Sequence, residues 1–482
     1  MTEITNKDPR LYNETLAPLS SEKKNWGWFE IFNVWANDVQ SLFGYTLAVS
    51  LFLAYGLNGW AVFAALILAG FFIMWLVNLS GSPSVRHGIP YPVFARASMG
   101  VFGANFPAMA RGIVAIFWYG AQTYFASTAV ALLLNRLLGI EDGGGVFLEM
   151  NAIGWVSIML VGLFQIYLFW KGIDVIRKFL NFAGPAVYVV MIVLMITVWV
   201  KAGGGLISEV GNIFSGMGDY TGGSMNAFFL IFGTMVAYFA AVVINYGDFA
   251  RFVSDESEMR KGNLLGLVGN IIVFSFIALM ITAGSVVVFG EALRETGQIT
   301  DMVKEVDSLL LTIVAAFAFF TATVGINMVA NYIPPAFDLS NLVPSKIDFR
   351  TGGLITGIVG LILAILWVAV ITQMGLFPFV NTLGAVLAPV YGIMILDYYI
   401  LKNQELDVQA LFSAEPGSKY YYDNGWNIKA FIALAIAAIY AEGMVWGYLP
   451  DALNWGGGYA WIVGAALGAV LHYGIQSMSK KS

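Results

Sequence analysis

The sequence repeats long apolar runs, such as residues 59–80 and 153–171, between short polar stretches. An apolar run of about 20 residues is long enough to cross the hydrocarbon core of a bilayer as a helix. Charged residues make up only 11% of the 482-residue chain, whereas soluble proteins carry roughly 25%. The sequence therefore predicts an all-α integral membrane protein.

We predict twelve membrane segments from these runs. The first six cover residues 28–55, 59–80, 106–137, 153–171, 176–201 and 225–247. The second six cover residues 262–290, 307–335, 352–373, 377–401, 427–447 and 457–478. Several of these segments are longer than a straight span needs, which indicates tilted or kinked helices.

Lysine and arginine are distributed unevenly between the two sides of this arrangement. If the N-terminus is inside, 20 of the 24 basic residues fall on the cytoplasmic side, and the other four are Arg136, Lys201, Arg294 and Lys304. The positive-inside rule then predicts that both termini are cytoplasmic and that the number of spans is even. We expect the chain to lie in the cytoplasmic membrane, with residues 1–27 as a mobile cytosolic tail and 402–426 as a cytosolic loop.

Several kinds of chemistry are not expected. The chain has no cysteine, and its two histidines, His87 and His472, lie at opposite ends of the sequence. Thiolate chemistry is therefore excluded, and a metal site is not expected. The sequence contains no H-E-x-x-H, no G-x-S-x-G and no P-loop motif, and it has no long hydrophilic insert for a nucleotide-driven pump. We expect neither an enzyme nor a bound cofactor, and no nucleic-acid partner.

Polar residues interrupt the first and sixth segments. The stretch FNVWANDVQSLFGY, residues 32–45, contains Asp38, Gln40 and Ser41. The sixth segment contains Gly233 and Tyr238 and continues into NYGDFARF. Interrupted segments at corresponding places in two halves indicate the binding site of a transporter. This pattern predicts a five-plus-five repeat, residues 28–201 and 225–401, followed by two further helices at 427–478.

Two pairs of polar residues have the spacing of neighbours on one helix face. Trp118 and Gln122 are four residues apart in the third segment, and Asn327 and Asn331 are four apart in the eighth. A flat indole beside a primary amide suits a planar ligand that forms hydrogen bonds at its edge. Packing against lipid or a neighbouring helix is the alternative for both pairs, and for glycines such as Gly464 and Gly468 we prefer packing.

Asp38 is an acid inside a predicted membrane segment, where a charge is unfavourable. It lies about 15 Å from the start of its segment at ~1.5 Å per residue, so it is predicted near the middle of the membrane. An ionised carboxylate at that depth needs a partner, water or a proton, so a functional role is the default hypothesis. The alternative is a structural acid that bonds the amides of a broken helix. Asp248 and Arg251 are interpreted as structural charges, or as charges that hold a cytoplasmic gate closed.

Several stretches together resemble the nucleobase–cation symporter-1 family. They are HGIPYPVFARASMGVFGANFPAMARG, FWYGAQTYFAS, INYGDFARF, NMVANYIPPAFDLSNLVP, LAPVYGIMILDYY and YYYDNGWN. The resemblance extends over nearly the whole chain. It implies a fold of twelve transmembrane helices, with a five-plus-five inverted repeat, broken helices 1 and 6, and two C-terminal helices. It also implies a ligand site between segments one, three, six and eight.

The resemblance assigns roles to individual residues. The family's stacking tryptophan and amide on the third segment correspond to Trp118 and Gln122. Its amide on the eighth segment corresponds to Asn331, and its polar residue on the first corresponds to Gln40. On the sixth segment, hydantoin and allantoin carriers have a tryptophan where this sequence has Phe239, preceded by Tyr238. The aromatic stack is kept, but the size of the indole and its N–H are lost.

A second departure concerns the coupling ion. Sodium-coupled members use backbone carbonyls that correspond to Ala36, Val39 and Ala322, together with two adjacent hydroxyl residues. Those two positions are Gly325 and Ile326, which offer no side-chain oxygen. Sodium prefers a shell of hard oxygen ligands, so their loss weakens the site. With Asp38 between the two carbonyl positions of segment one, we predict that Asp38 carries a coupling proton.

The resulting hypothesis is a secondary active symporter that imports a nucleobase or a related planar N-heterocycle, such as uracil, cytosine, allantoin or a hydantoin, by alternating access. Its partners are this small molecule, a coupling cation and the lipid bilayer. Three alternatives stay open: sodium coupling of the same transport, a proton-coupled amino-acid carrier of the same fold, and a channel or membrane receptor. The sequence indicates neither the particular ring nor the oligomeric state.

Overall fold

The structure is a computed structural model that describes residues 4–5, 7–140, 146–203, 206–289, 300, 303 and 308–479. Within these ranges the main elements are helices. In chain order they are α1 (Trp28–Val39), α2 (Leu42–Ala54), α3 (Gly59–His87), α4 (Tyr91–Met99), α5 (Asn105–Leu138), α6 (Ala152–Trp170), α7 (Ile173–Ala202), α8 (Leu206–Ile213), α9 (Ser224–Tyr238), α10 (Ala240–Asn245), α11 (Gly247–Ala250), α12 (Glu256–Gly262), α13 (Gly269–Phe289), α14 (Leu309–Ile326), α15 (Ile333–Leu342), α16 (Phe349–Ile365), α17 (Leu376–Leu396), α18 (Ile428–Val445) and α19 (Ala460–Ser479).

Eight helical stretches in the described ranges are long and apolar enough to cross a membrane. They are Gly59–His87, Ala152–Trp170, Lys178–Ala202, Glu256–Val288, Leu309–Leu342, Leu376–Leu401, Ile428–Val445 and Gly457–Met478. The long helix α5, the shorter α16 and the two interrupted segments complete the twelve that the sequence predicts. The second and eighth segments extend past their predicted ends at residues 80 and 335, to His87 and Leu342.

The first segment is broken between α1 and α2, as predicted. Gln40 and Ser41 have extended backbone angles, with ψ values of 114° and 161°. The Ser41 hydroxyl accepts a hydrogen bond from the Gly44 N–H at 2.8 Å, and the Thr323 hydroxyl accepts one from the Leu42 N–H at 3.2 Å. Both hydroxyls therefore cap the start of α2, which satisfies amide groups that the break leaves without helical partners.

The sixth segment is also broken, at Phe239. This residue lies between α9 and α10 with a φ of −87° and a ψ of 1°, outside the helical geometry of its neighbours. The chain then continues through α10 and α11 to Arg251. The predicted interruption is therefore present, and it places the side chains of Tyr238 and Phe239 beside the first break.

Three stretches of the described chain have π-helical geometry, which the sequence analysis did not predict. They are Asn263–Val268, Asn327–Tyr332 and Asp397–Leu401. A π turn inserts an extra residue into a helix and rotates the side chains that follow it, and such turns are frequent at functional sites. The second stretch contains both asparagines of the eighth segment.

The expectation of a mobile N-terminal tail is wrong for the residues that the structure describes. Leu11 and Leu16 are buried. Arg96 donates a hydrogen bond to the Leu11 carbonyl at 2.8 Å, and Arg251 donates to the Thr15 and Ala17 carbonyls at 3.0 and 2.5 Å. Buried guanidinium groups need acceptors, and carbonyls of the tail supply them. The tail is thereby packed across the face of the bundle that carries both termini, called the terminal face below.

The last helix, α19, packs closely on α17 through two glycines. A Cβ atom on Gly468 would lie 2.9 Å from the Cα and carbonyl oxygen of Pro389, and one on Gly464 would lie 3.0 Å from the Ala441 Cβ. Real Cβ atoms almost never come so close to backbone atoms as at Gly468, so that position requires glycine, and Gly464 makes a tight contact with Ala441 on α18. This confirms the packing interpretation of the G-x-x-x-G spacing.

We expect Gly468→Leu to destabilise the protein, because the new side chain must push α19 away from Pro389. Overpacking of this kind costs about 1–3 kcal/mol, so thermal unfolding in detergent should begin at a lower temperature than in the wild type. Gly474→Leu is the matched control in the same helix, since no heavy atom lies within 4 Å of its would-be Cβ. Equal stability of the two variants would show that the close contact is unimportant.

Candidate functional site

A small cavity lies where the two breaks face α5 and the π-helical stretch of the eighth segment. Its walls include Asp38, Trp118, Gln122, Tyr238, Phe239 and Asn331, together with Ala241, Val242, Ile326 and Ala330. Its volume is about 20 Å³, which has room for roughly one water molecule. A planar heterocycle is larger than this, so binding one requires side chains of the wall to move.

The helix α5 presents Trp118 and Gln122 to this cavity on one face. The indole packs edge-to-face against Phe43, Tyr238 and Phe379, with ring centroids 4.8, 5.4 and 5.2 Å away. Within the described residues the Gln122 Oε1 atom is buried and makes no hydrogen bond, while its Nε2 donates to the Ser41 hydroxyl at 3.4 Å. The Trp118 indole can therefore stack on a planar ligand, and Gln122 Oε1 can accept a hydrogen bond from the edge of that ligand.

The two asparagines of the eighth segment have different surroundings. Asn327 is held by neighbouring helices, because its Nδ2 donates to Gln165 Oε1 at 2.6 Å and to Thr123 Oγ1 at 3.1 Å. Asn331 lines the cavity and donates to Asn327 Oδ1 at 3.0 Å. Asn327 therefore bonds across helices and orients Asn331, and it is Asn331 that faces the cavity.

Gln40 does not join this group. It is buried at the break, but it is not part of the cavity wall, and its side chain lies close to the hydroxyl of Tyr188 on α7. Ser41, the next residue, contacts the cavity residues instead, since its hydroxyl lies 3.4 Å from the Tyr238 hydroxyl. The structure thus brings together five of the six side chains predicted for substrate binding and leaves Gln40 to one side.

Asp38 reaches the cavity from the end of α1. The residue is only 2% exposed, and its Oδ1 atom finds no hydrogen-bond partner in the described part of the chain. Arg111 on α5 is the cation within electrostatic range of this carboxyl. A buried carboxyl at a cavity without a bonded partner is suited to exchange a proton or contact a ligand.

The positions predicted for a residual sodium site lie where α1 packs against α14. Ala36, Val39 and Ala322 are buried there, and Ile326 contributes to the cavity wall. A Cβ atom on Gly325 would lie 2.6 Å from Asn37 Oδ1, so the Asn37 amide fills the space in front of this glycine. Asn37 was not predicted as a site residue, because its contacts with Leu180 and Gly325 join distant parts of the sequence. Its Nδ2 donates to the carbonyls of Asn33, one turn earlier, and Leu180 at 2.9 and 3.1 Å.

A membrane-spanning helical bundle with two interrupted segments that meet at a central polar cavity is typical of secondary transporters. The family model described as "Permease for cytosine/purines, uracil, thiamine, allantoin" matches residues 18–473, and the chain belongs to this family. It is a transporter and not an enzyme. Its fold has twelve transmembrane helices: a five-plus-five inverted repeat followed by two C-terminal helices.

Two relatives and one solved structure illustrate the similarity. The chain is 33% identical to the allantoin permease of Bacillus subtilis over 452 residues, which cover 91% of this chain and 88% of the relative. It is 30% identical to a putative allantoin permease of Escherichia coli, covering 90% and 89%. The structure of Mhp1, a nucleobase-cation-symport-1 family transporter in a closed conformation with bromovinylhydantoin bound, matches with a TM-score of 0.77 at 22% identity, covering 98% and 96%.

Proposed function

We propose that this protein imports a planar N-heterocycle of the nucleobase, allantoin or hydantoin type by proton-coupled symport. The observation that carries the proposal is the meeting of Trp118, Gln122 and Asn331 at one cavity with the rings of Tyr238 and Phe239. A ring stacked on the indole can exchange hydrogen bonds at its edge with the two amides. Similarity to two allantoin permeases supports a ureide ring within this class.

The cation-coupling part of the proposal assigns the proton to Asp38. The sodium positions lack two of their ligands: Gly325 and Ile326 have no side-chain oxygen, and the side-chain oxygen in front of Gly325 is the single Oδ1 atom of Asn37. The Thr323 hydroxyl, one turn away, already accepts the Leu42 N–H. Sodium needs several hard oxygen ligands at once, whereas a proton needs only the carboxyl of Asp38.

The mechanism that we propose is alternating access across this cavity. The aromatic rings of Phe43, Trp118 and Phe379 pack together on one side of it and are buried. On the other side, between the cavity and the terminal face, Arg111 and Asn245 are buried as well. Substrate and cation binding then shift the balance between states open to one side or the other. In this proposal both termini are cytoplasmic, and the protein lies in the cytoplasmic membrane.

An uptake panel in proteoliposomes tests the function directly. We expect accumulation of one of uracil, cytosine, allantoin or a hydantoin when the outside is acidic, and no further increase when sodium is added. Unlabelled amino acids should not compete with this uptake. A sodium requirement without any effect of the pH gradient would overturn the proton assignment, and facilitated entry without accumulation would indicate a channel-like protein.

A further inference from the structure

A second group of buried charges lies between the cavity and the terminal face. Arg111 is seven residues before Trp118 on α5, and Asp338 is seven residues after Asn331, so each lies about two turns from a cavity residue. Asp248 on α11 is the third member. All three side chains are buried, with residue exposures of 0%, 2% and 1%. Charges this deeply buried are stable only if each is paired or neutral.

Asp248 accepts a hydrogen bond at each of its carboxyl oxygens. Its Oδ1 accepts the Tyr91 N–H at 2.8 Å, and its Oδ2 accepts the Asn245 side-chain amide at 3.0 Å. Arg111 and Arg251 both act on it electrostatically. Hydrogen bonds to both oxygens and two nearby cations favour the charged form of this group.

Asp338 has no such hydrogen bonds. Within the described chain neither of its oxygens has a hydrogen-bond partner. Its nearest cation is Arg111, with Nη1 at 3.9 Å from Oδ2, and the other titratable groups that act on it are Asp248 and Tyr91. The Nε and Nη1 atoms of Arg111 also lack hydrogen-bond partners among the described residues.

This arrangement does not fit an ionised Asp338. A carboxylate beside a guanidinium that has two unused N–H groups forms short, charge-assisted and often bidentate hydrogen bonds. Here the closest approach is 3.9 Å, too long for a hydrogen bond, although both groups are buried, and a buried charge without hydrogen bonds is strongly disfavoured. A neutral carboxyl has no such need for the guanidinium.

We propose that Asp338 is a second proton-binding carboxyl of the transport cycle and that it is protonated in the arrangement described. Arg111 Nη2 then donates to Asn245 Oδ1 at 3.0 Å and to the Ala330 carbonyl at 2.7 Å. Asn245 belongs to α10 of the broken sixth segment, and Ala330 lines the cavity. While Asp338 is neutral, Arg111 therefore connects the broken sixth segment, through Asn245, to the cavity wall, through the backbone of Ala330.

Loss of the proton changes the partner of Arg111. When Asp338 releases its proton from a carboxyl oxygen to water, the carboxylate left behind competes with Asn245 and Ala330 for the guanidinium. Contact with Asn245 is weakened, and the sixth segment is released from α5 on the terminal side. The proposal rests on the proposed proton-coupled uptake and adds to it the group that couples proton release to opening on this side.

Infrared spectroscopy of the purified full-length protein tests the protonation without any transport assay. In an Asp38→Asn, Glu442→Gln background, which removes the cavity carboxyl and the other acid whose two oxygens lack hydrogen-bond partners among the described residues, we expect a carboxylic-acid carbonyl band at neutral pH. This band should disappear in Asp338→Asn and persist in the matched control Asp248→Asn. A band unchanged by Asp338→Asn would overturn the proposal, whether or not the protein transports heterocycles.

Transport by Asp338→Asn gives the second readout. We expect substrate binding close to that of the wild type, but proton-driven uptake slower by about tenfold or more, the effect of one charge-assisted hydrogen bond. The pH dependence of the uptake rate should flatten, and Asp338→Glu, which keeps a titratable carboxyl, should restore it. Wild-type pH dependence in Asp338→Asn would contradict the inference. Absence of heterocycle uptake by the wild type would instead contradict the proposed function.

Discussion

Replacing Trp118 by alanine should weaken substrate binding by roughly 5- to 150-fold, which corresponds to about 1–3 kcal/mol for the loss of one base–aromatic stacking contact. The indole is 5% exposed and lies in the cavity wall, in contact with the rings of Tyr238 and Phe379. Its removal takes away the stacking surface and also one aromatic contact of each of these two rings. Direct binding of the transported ring to purified protein measures the effect.

Two further variants separate stacking from folding. Trp118→Phe keeps a smaller ring in the same place, so we expect an affinity between those of the wild type and Trp118→Ala. Trp75→Ala is the matched control, because this indole is 53% exposed on α3 and lies outside the cavity wall. If Trp118→Ala binds substrate as tightly as the wild type, the ring does not stack on this residue.

Much of the cavity could be predicted because its residues carry local signals. A helix places residues four apart on one face, so Trp118 and Gln122 were expected together, and both line the cavity. The polar residues of the first segment predicted a break, which occurs at Gln40 and Ser41. Membrane segments are predictable for the same reason: backbone groups in lipid must be paired within the segment, which leaves few possible structures.

Other features depend on contacts that sequence spacing does not reveal. A π-helical turn has no residue pattern that distinguishes it from an α-helix, and the turn at Asn327–Tyr332 separates the environments of Asn327 and Asn331. Gln40 was expected at the ligand, but the extended backbone of the break places the next residue, Ser41, beside Tyr238. A helical periodicity cannot be extended across such a break.

The packing of the N-terminal tail and the burial of two arginines depend on the same hydrogen bonds, which the sequence does not reveal. Arg96 and Arg251 contribute to the positive-inside pattern, which treats basic residues as solvated charges. In the structure their guanidinium groups are buried and bind backbone carbonyls of the N-terminal tail. A charge count gives the side of the membrane on which a residue lies, but it does not show whether that residue is solvated or is an internal hydrogen-bond donor.

Asp38→Asn should abolish accumulation of substrate against a gradient while leaving substrate exchange partly intact. One proton per substrate permits accumulation of about tenfold for each unit of pH difference, since one unit is worth about 1.36 kcal/mol. The amide of the variant has nearly the shape of the carboxyl but cannot bind and release a proton, so the substrate should only equilibrate. Exchange of internal for external substrate needs no net proton movement and should continue.

Proteoliposomes with an acidic exterior measure both processes in one preparation. Asp451→Asn is the matched control, because this acid is exposed in the loop after α18 and lies away from the cavity. It should accumulate substrate as the wild type does. Proton-driven accumulation by Asp38→Asn would remove Asp38 from the coupling mechanism. If the variant instead loses substrate binding while its remaining uptake still follows the pH gradient, the carboxyl contacts the ligand, and the coupling proton must be carried elsewhere, with Asp338 as the next buried carboxyl on the path to the terminal face.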